Sequence, residues 1–165
     1  MKIDRPGGVM SQAGVAAFVA ARRGEGLRIG FTNGVFDLLH PGHIRYLQAA
    51  RLLADILVVG LNADESVRRN KGPNRPINSQ EERAELVAAL ACVDGVVIFE
   101  EDTPDAIIRL VQPDVLVKGA DWPADQIVGR DTVEARGGRV VLIPVEQGHS
   151  TTAIVEKIRN ARGQA

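Results

Sequence analysis

Cysteine is almost missing from this chain. Its 165 residues include one, Cys92, which excludes an intrachain disulfide framework and any cysteine-rich zinc site. Cys92 lies in an apolar, helix-patterned stretch and reads as packing. Long apolar runs are absent as well. No stretch reaches the ~18 residues that a membrane span requires. The apolar run from Val15 to Ala21 is short and is followed by Arg22 and Arg23, unlike the core of a signal peptide. Neither charge dominates: 20 Lys and Arg against 21 Asp and Glu leave a net charge of −1. Bulk binding of nucleic acid is therefore not expected. No G-x-G-x-x-G follows the first buried strand, which argues against an NAD-type dehydrogenase. There is no internal repeat, linker or low-complexity segment. With 45% hydrophobic and 25% charged residues, the chain reads as one domain with a sizeable core in a reducing, cytoplasmic setting.

What is present is an alternation of strands and helices. Residues 1–8 carry Pro and Gly and read as a lead-in. Ser11 caps a helix to Arg23, with Val15, Phe18 and Val19 as its apolar stripe and Gly24 and Gly26 as its stop. Ile29, Gly30 and Phe31 form a buried strand that breaks at Thr32-Asn33-Gly34, read as a polar loop. A helix follows His40-Pro41-Gly42-His43 and carries Ile44, Leu47, Gln48, Arg51 and Leu52. Asp55 to Leu61 is a second strand, ending in the polar loop Asn62-Ala63-Asp64-Glu65-Ser66. Val67 to Ile77 is the least regular part. Its cations Arg68, Arg69, Lys71 and Arg75 are expected on a mobile flap. Ser79 and Glu82 fit a capping box for a helix to Leu90, with Leu86, Val87 and Leu90 as its stripe. Strands at Gly95–Phe99, Val115–Val117 and Val140–Ile143 alternate with helices at Thr103–Val111 (Thr103 as cap), Asp131–Arg136 and Ala153–Arg162. The expectation is an α/β, Rossmann-like, doubly wound parallel sheet of five strands. Ligands bind such sheets at the strands' C-terminal ends.

Two strand-to-helix junctions carry chemistry. At the first, His40 and His43 sit three apart at a helix entry with Pro41 in the first turn. A helix N-terminus presents unpaired N–H groups and positive dipole, so it attracts phosphate. Two imidazoles there can donate hydrogen bonds to phosphate oxygens as charge develops. Gly34 and Gly42 allow close backbone approach. At the second, Ser150, Thr151 and Thr152 offer three hydroxyls at a helix start where a cap needs one. Asp37 is expected to order backbone N–H groups rather than meet ligand.

The run Gly34-x-Phe36-Asp37-x-x-His40-x-Gly42-His43 resembles the signature of the HxGH nucleotidyltransferases, and Ser150-Thr151-Thr152 is similar to that superfamily's second motif. Four segments together resemble the D-glycero-β-D-manno-heptose 1-phosphate adenylyltransferases: Thr32-Asn33-Gly34-Val35-Phe36, Gly60-Leu61-Asn62-x-Asp64, Leu116-Val117-Lys118-Gly119-x-Asp121 and Gly148-x-Ser150-Thr151-Thr152. Glycerol-3-phosphate cytidylyltransferases, the alternative, carry Arg-Thr-Glu-Gly before the second motif. Here Val145-Glu146-Gln147-Gly148 has no arginine, which favours ATP over CTP. No sugar kinase segment is attached, so the resemblance implies the stand-alone form. Residues 1–26 would be lead-in and helix, and 27–165 the nucleotidyltransferase domain.

The resemblance implies a reaction: heptose 1-phosphate and ATP give ADP-heptose and pyrophosphate, for lipopolysaccharide core or related glycan precursors. It implies catalysis by His40, His43 and Lys71. Thr32, Asn33, Gly34, Val35, Phe36, Gly42, Lys118, Gly148, Ser150, Thr151 and Thr152 would bind nucleotide alongside the histidines. Asn62, Asp64, Lys71, Arg75, Asp121 and Trp122 would bind the acceptor. For Trp122, core packing is the competing expectation, and His149 is a further candidate. Mg²⁺ would enter with ATP, held largely by the nucleotide and water rather than by a protein metal site. A homo-oligomer is expected. A nucleotide-binding regulatory module without turnover is the reading from a different class.

Overall fold

The computed structural model describes residues 8–123, 126–144, 148 and 150–162. Val145, Glu146, Gln147 and His149, singled out above, lie outside the described residues. In chain order the elements are β1 (Val9–Met10), α1 (Gln12–Gly24), β2 (Ile29–Gly34), α2 (Pro41–Arg51), β3 (Ile56–Asn62), α3 (Asp64–Lys71), α4 (Gln80–Ala88), β4 (Gly95–Phe99), α5 (Asp105–Val111), β5 (Val115–Gly119), α6 (Arg130–Glu134), β6 (Arg139–Ile143) and α7 (Thr151–Arg162). The sheet has six strands in the order β1-β4-β3-β2-β5-β6, every pairing parallel. The expectation of five is corrected by β1, two residues at the edge that pair with Val96 and Val97. So short a strand has no alternation for a sequence pattern to display.

The central strands β2 to β5 are buried over most of their length because they are apolar on both sides. Val15 and Val19 of α1, Ile107, Ile108 and Val111 of α5, and Val133 of α6 pack with Phe31, Val58 and Leu116. Leu47 and Ala50 of α2 and Ala84 and Val87 of α4 pack on Leu57, Val59 and Val117. The chain builds outward from β2 through β3 to β4, then returns to place β5 on the other side of β2. The strand order therefore reverses between β2 and β5, which opens a crevice at their C-terminal ends.

Three carboxylates set the register at the opposite edge. Asp55, Asp94 and Asp114 accept the backbone N–H of Arg28 (2.9 Å), Leu57 (2.8 Å) and Ile29 (2.7 Å). Each acid sits just before one strand and holds the start of its neighbour, which pins the pairing where a ladder would otherwise fray.

Several boundaries differ from the sequence expectation. β2 runs on through Thr32, Asn33 and Gly34, paired with Val59, Gly60 and Leu61, because side-chain partners satisfy its polar residues: Thr32 Oγ1 lies 2.8 Å from Tyr46 Oη, and Asn33 Oδ1 accepts from Lys118 Nζ. Asn62–Ser66 is not a loop and Val67 does not begin an irregular stretch, since α3 spans Asp64 to Lys71. Its acids fall in the first turn and its cations in the last, the arrangement the helix dipole favours. The side chain of Thr103 does not cap α5, whose N-cap is Pro104. Leu52 and Leu86 face solvent, at 86% and 46% exposure, and Arg83 takes the inward position assigned to Leu86.

Gly60, in the middle of β3, faces the Phe31 ring, and a Cβ there would come within 2.6 Å of it. Gly60→Ala should therefore overpack the core and cost about 1–3 kcal/mol, measurable as a lower urea midpoint with an unchanged slope.

Candidate active site

A cleft of about 1170 Å³ lies over the C-terminal ends of β2, β3 and β5 and takes in the N-termini of α2 and α7. The signature histidines form one wall. His40 is the N-cap of α2, with extended backbone (φ −143°), and Pro41 follows in the first turn. His40 Nδ1 lies 3.4 Å from the His43 backbone N–H. The two rings stack with centroids 3.7 Å apart, and Phe36 leans on His43 at 5.2 Å. Phe36 itself has φ +48°, a left-handed conformation unusual for a bulky residue, and it is buried at 6% exposure. Burial, the neighbouring His40 and the charge of Lys71 push His43 down to about 4. Its Nδ1 is buried without a hydrogen-bond partner among the described residues. His43 is thus a neutral imidazole at neutral pH.

Two lysines share the cleft. Lys118, next to last in β5, donates to Asn33 Oδ1 across the crevice, and burial lowers it to about 8. Lys71, the last residue of α3, is lowered by burial and by the cation of Arg75. At the far wall Ser150 Oγ accepts the Ala153 N–H at 3.0 Å and caps α7. Thr151 Oγ1 reaches the Leu38 carbonyl at 3.5 Å, tying α7 to the signature loop. Thr152 is exposed.

The structure brings most of the sequence candidates together. Asn33, Gly34, Val35, Phe36, His40, Gly42, His43, Asn62, Lys71, Arg75, Lys118, Asp121, Trp122, Ser150, Thr151 and Thr152 all line the cleft. Trp122 is 57% exposed, so the core-packing expectation for it is corrected. Three candidates lie elsewhere. Thr32 is fully buried and spent on Tyr46. Asp64 faces inward to Arg83 (Nη2–Oδ1 2.6 Å). Gly148, with φ +86°, is not among the residues lining the cleft. Arg75 lines the cleft yet is already engaged, with its Nε 2.6 Å from Asp37 Oδ2. Asp37, 2% exposed, also accepts the N–H groups of Ile77 (2.8 Å) and Asn78 (3.1 Å). It orders backbone as expected, though that of the segment after α3 rather than its own loop.

The residue that sequence reasoning missed is Arg83. It is fully buried and donates to the carbonyls of Val35 (2.6 Å), Asn62 (3.0 Å) and Asn78 (3.1 Å), besides Asp64. One guanidinium therefore joins the loop after β2, the end of β3, the start of α3 and the approach to α4. A signal was available: Arg83, Val87 and Leu90 are spaced as one helical stripe, and an arginine there must be buried and satisfied.

Two predictions follow from this geometry. Arg83→Met keeps the volume but strands three carbonyls and a carboxylate, so it should cost about 3–5 kcal/mol by urea denaturation. The lowered His43 makes stability depend on pH. The unfolded chain takes up a proton on this residue below about 6.5, and the folded one only near 4. Stability of the unliganded protein should therefore fall as pH drops through that window, and His43→Gln should flatten the fall in thermal scans at stepped pH.

The chain is similar to several known proteins. The bifunctional protein HldE of Hyphomonas neptunium is 58% identical over 135 residues, covering 82% of this chain and 28% of its own length. That of Geobacter sulfurreducens is 54% identical over 150 residues, covering 91% and 31%. The chain thus spans about a third of the curated relatives it matches. The crystal structure of the lipopolysaccharide core biosynthesis protein from Thermoplasma volcanium GSS1 superposes with a TM-score of 0.61 at 30% identity, covering 74% of this chain and 99% of that one. The model of the family described as cytidylyltransferase-like matches residues 31–157, from the strand that leads into the stacked histidines through most of α7, and the chain belongs to that family.

Proposed function

We propose that the chain is a nucleotidyltransferase that joins D-glycero-β-D-manno-heptose 1-phosphate to the adenylyl group of ATP. The products would be ADP-heptose and pyrophosphate. The observation that carries this reading is the convergence of two helix N-termini, a stacked histidine pair and two lysines, Lys118 largely desolvated, on one cleft. Such a set of donors matches a polyphosphate and little else. Heptose as acceptor is supported by the relatives at 54–58% identity. The lack of arginine before Ser150 supports ATP over CTP. A place in lipopolysaccharide core synthesis is supported by the likeness to the Thermoplasma volcanium lipopolysaccharide core biosynthesis protein. A cytoplasmic setting and a homo-oligomer belong to the same reading.

In this mechanism an oxygen of the sugar phosphate attacks the α-phosphorus in line. The bond from that phosphorus to the bridging oxygen breaks, and pyrophosphate leaves with the electron pair. The attacking phosphate is already ionised, so the protein supplies position and charge stabilisation rather than a base. His40 and His43 hold phosphate oxygens from the start of α2. Ser150 and Thr151, with the free N–H groups of α7, take the β- and γ-phosphates. Lys71 reaches the α-phosphate. Lys118 adds a buried cation whose proton a bound polyanion would hold more tightly. Asn62, Asp121 and Trp122 would read sugar or base. Mg²⁺ fits as a companion of the triphosphate. Among the described residues Asp102 and Asp121 are the carboxylates on the cleft, and no cluster of three or more ligating side chains is found. The ion would neutralise triphosphate charge, with most of its ligands from nucleotide and water.

Pyrophosphate release with Mg²⁺ tests the reading, with ATP set against CTP and heptose 1-phosphate against glycerol 3-phosphate. Release is expected with ATP and heptose 1-phosphate alone, and His43→Ala should slow it by ~10²–10³. Release with CTP and glycerol 3-phosphate would overturn the substrates. Near-normal turnover by His43→Ala would overturn the role of that imidazole.

A further inference from the structure

Lys71 is the last residue of its helix. α3 has eight residues, and its first turn is held firmly: Asp64 bonds Arg83, the Asp64 N–H donates to Gln80 Oε1 at 2.9 Å, and buried Ser66 accepts from Asn62 Nδ2 at 3.1 Å. The last turn is tied mostly back onto the helix itself: the Gly72 N–H donates to the Arg68 carbonyl at 2.9 Å, and Arg68 pairs with Glu65 and Asp64. Gly72 follows at φ +92° with open space around its Cα, and helix ends fray unless something outside holds them. A lysine at such an end adds its own four rotatable bonds to whatever freedom the end keeps.

One contact fixes this turn from outside. Arg69, two residues before Lys71, reaches across to the end of β4. Its Nε donates to Asp102 Oδ1 at 2.7 Å, and its Nη2 donates to the Glu100 carbonyl at 2.9 Å. The two bonds leave different nitrogens of one planar fork, so they fix direction as well as distance. Asp102 also lines the cleft, which places the anchor at the same rim that Lys71 serves. Beyond Gly72 the chain is tied again by Arg75 on buried Asp37. Lys71 thus lies between two arginine anchors, one on β4 and one on the signature loop.

We propose that Arg69 is a positioning residue, which through Asp102 and the Glu100 carbonyl holds the last turn of α3 so that Lys71 meets the α-phosphate. The proposal rests on the nucleotidyltransferase reading of the cleft. Arg69 and Asp102 are about half exposed, so the pair adds little to stability. An effect on rate without one on stability is therefore the mark of the role.

The test uses Arg69→Ala, Arg69→Lys and Asp102→Ala, alone and combined with Lys71→Ala. Arg69→Ala and Asp102→Ala should each lower kcat by about 10- to 100-fold, with a much smaller change in KM for ATP and a thermal midpoint close to that of the parent. Arg69→Lys keeps the charge but cannot span both acceptors, so it should not restore the rate. In the Lys71→Ala background, Arg69→Ala should cost nothing further. A second readout is independent of turnover: titration of the Lys71 amine, followed by NMR of the isotopically labelled side chain. It should lie below the ordinary lysine value of 10.5 in the parent and move towards it in Arg69→Lys, as the side chain swings into water. Unchanged kcat in the single variants, an equal loss with and without Lys71, or an unmoved Lys71 titration would each overturn the proposal. A parent protein that releases no pyrophosphate with any nucleotide would overturn the functional reading instead, and the amine titration would then decide the anchor alone.

Discussion

The structure depends on one buried cation. Arg83 has no exposed surface, and it spends its guanidinium on three backbone carbonyls and one carboxylate. Burying a charge is costly unless its donors are met. Here they are met by groups that themselves need partners, since the carbonyls of Val35, Asn62 and Asn78 lie where strands and helices end. Those three segments carry the signature loop, the end of β3 and the approach to α4. The cleft is therefore assembled from separate stretches of chain around a side chain that does not line it.

Around that centre the cleft is built from donors held out of water. His43 is neutral because it is buried beside His40 and Lys71, and Lys118 is buried at the crevice where the strand order reverses. Lys118 is met by Asn33 Oδ1. His43 Nδ1 has no partner among the described residues, and two lysines and a histidine pair crowd one space. In the proposed reaction a bound polyphosphate would bring negative charge to the two lysines.

How far the sequence could be read depended on the range of the interaction. Local signals were legible: the cap at Ser11, the capping box of Ser79 and Glu82, and Pro41 at the head of α2 each act within four residues. The histidine pair and the hydroxyl run were legible because a helix N-terminus announces itself in a few letters. Long-range partners were not. Thr32 reads as a loop residue until Tyr46, fourteen residues on, supplies its bond. Asp64 reads as a cleft residue until Arg83 turns it inward. α3 was hidden for a different reason. Its polar composition masks the period, and only the ordering of acids before cations betrays a helix. β1 is two residues long and exists because β4 offers an edge.

The three carboxylates at the starts of the strands carry a further consequence. Asp55, Asp94 and Asp114 fix the sheet's register at one edge, while the cleft lies over the strand ends at the other. The length of the strands separates the two tasks. Sequence drift can rewrite the cleft edge, exchanging one phosphorylated acceptor for another, without disturbing the acids that align the sheet. A fold partitioned in this way is a chassis for divergence: new specificities can be tried at one end while the other keeps the molecule foldable.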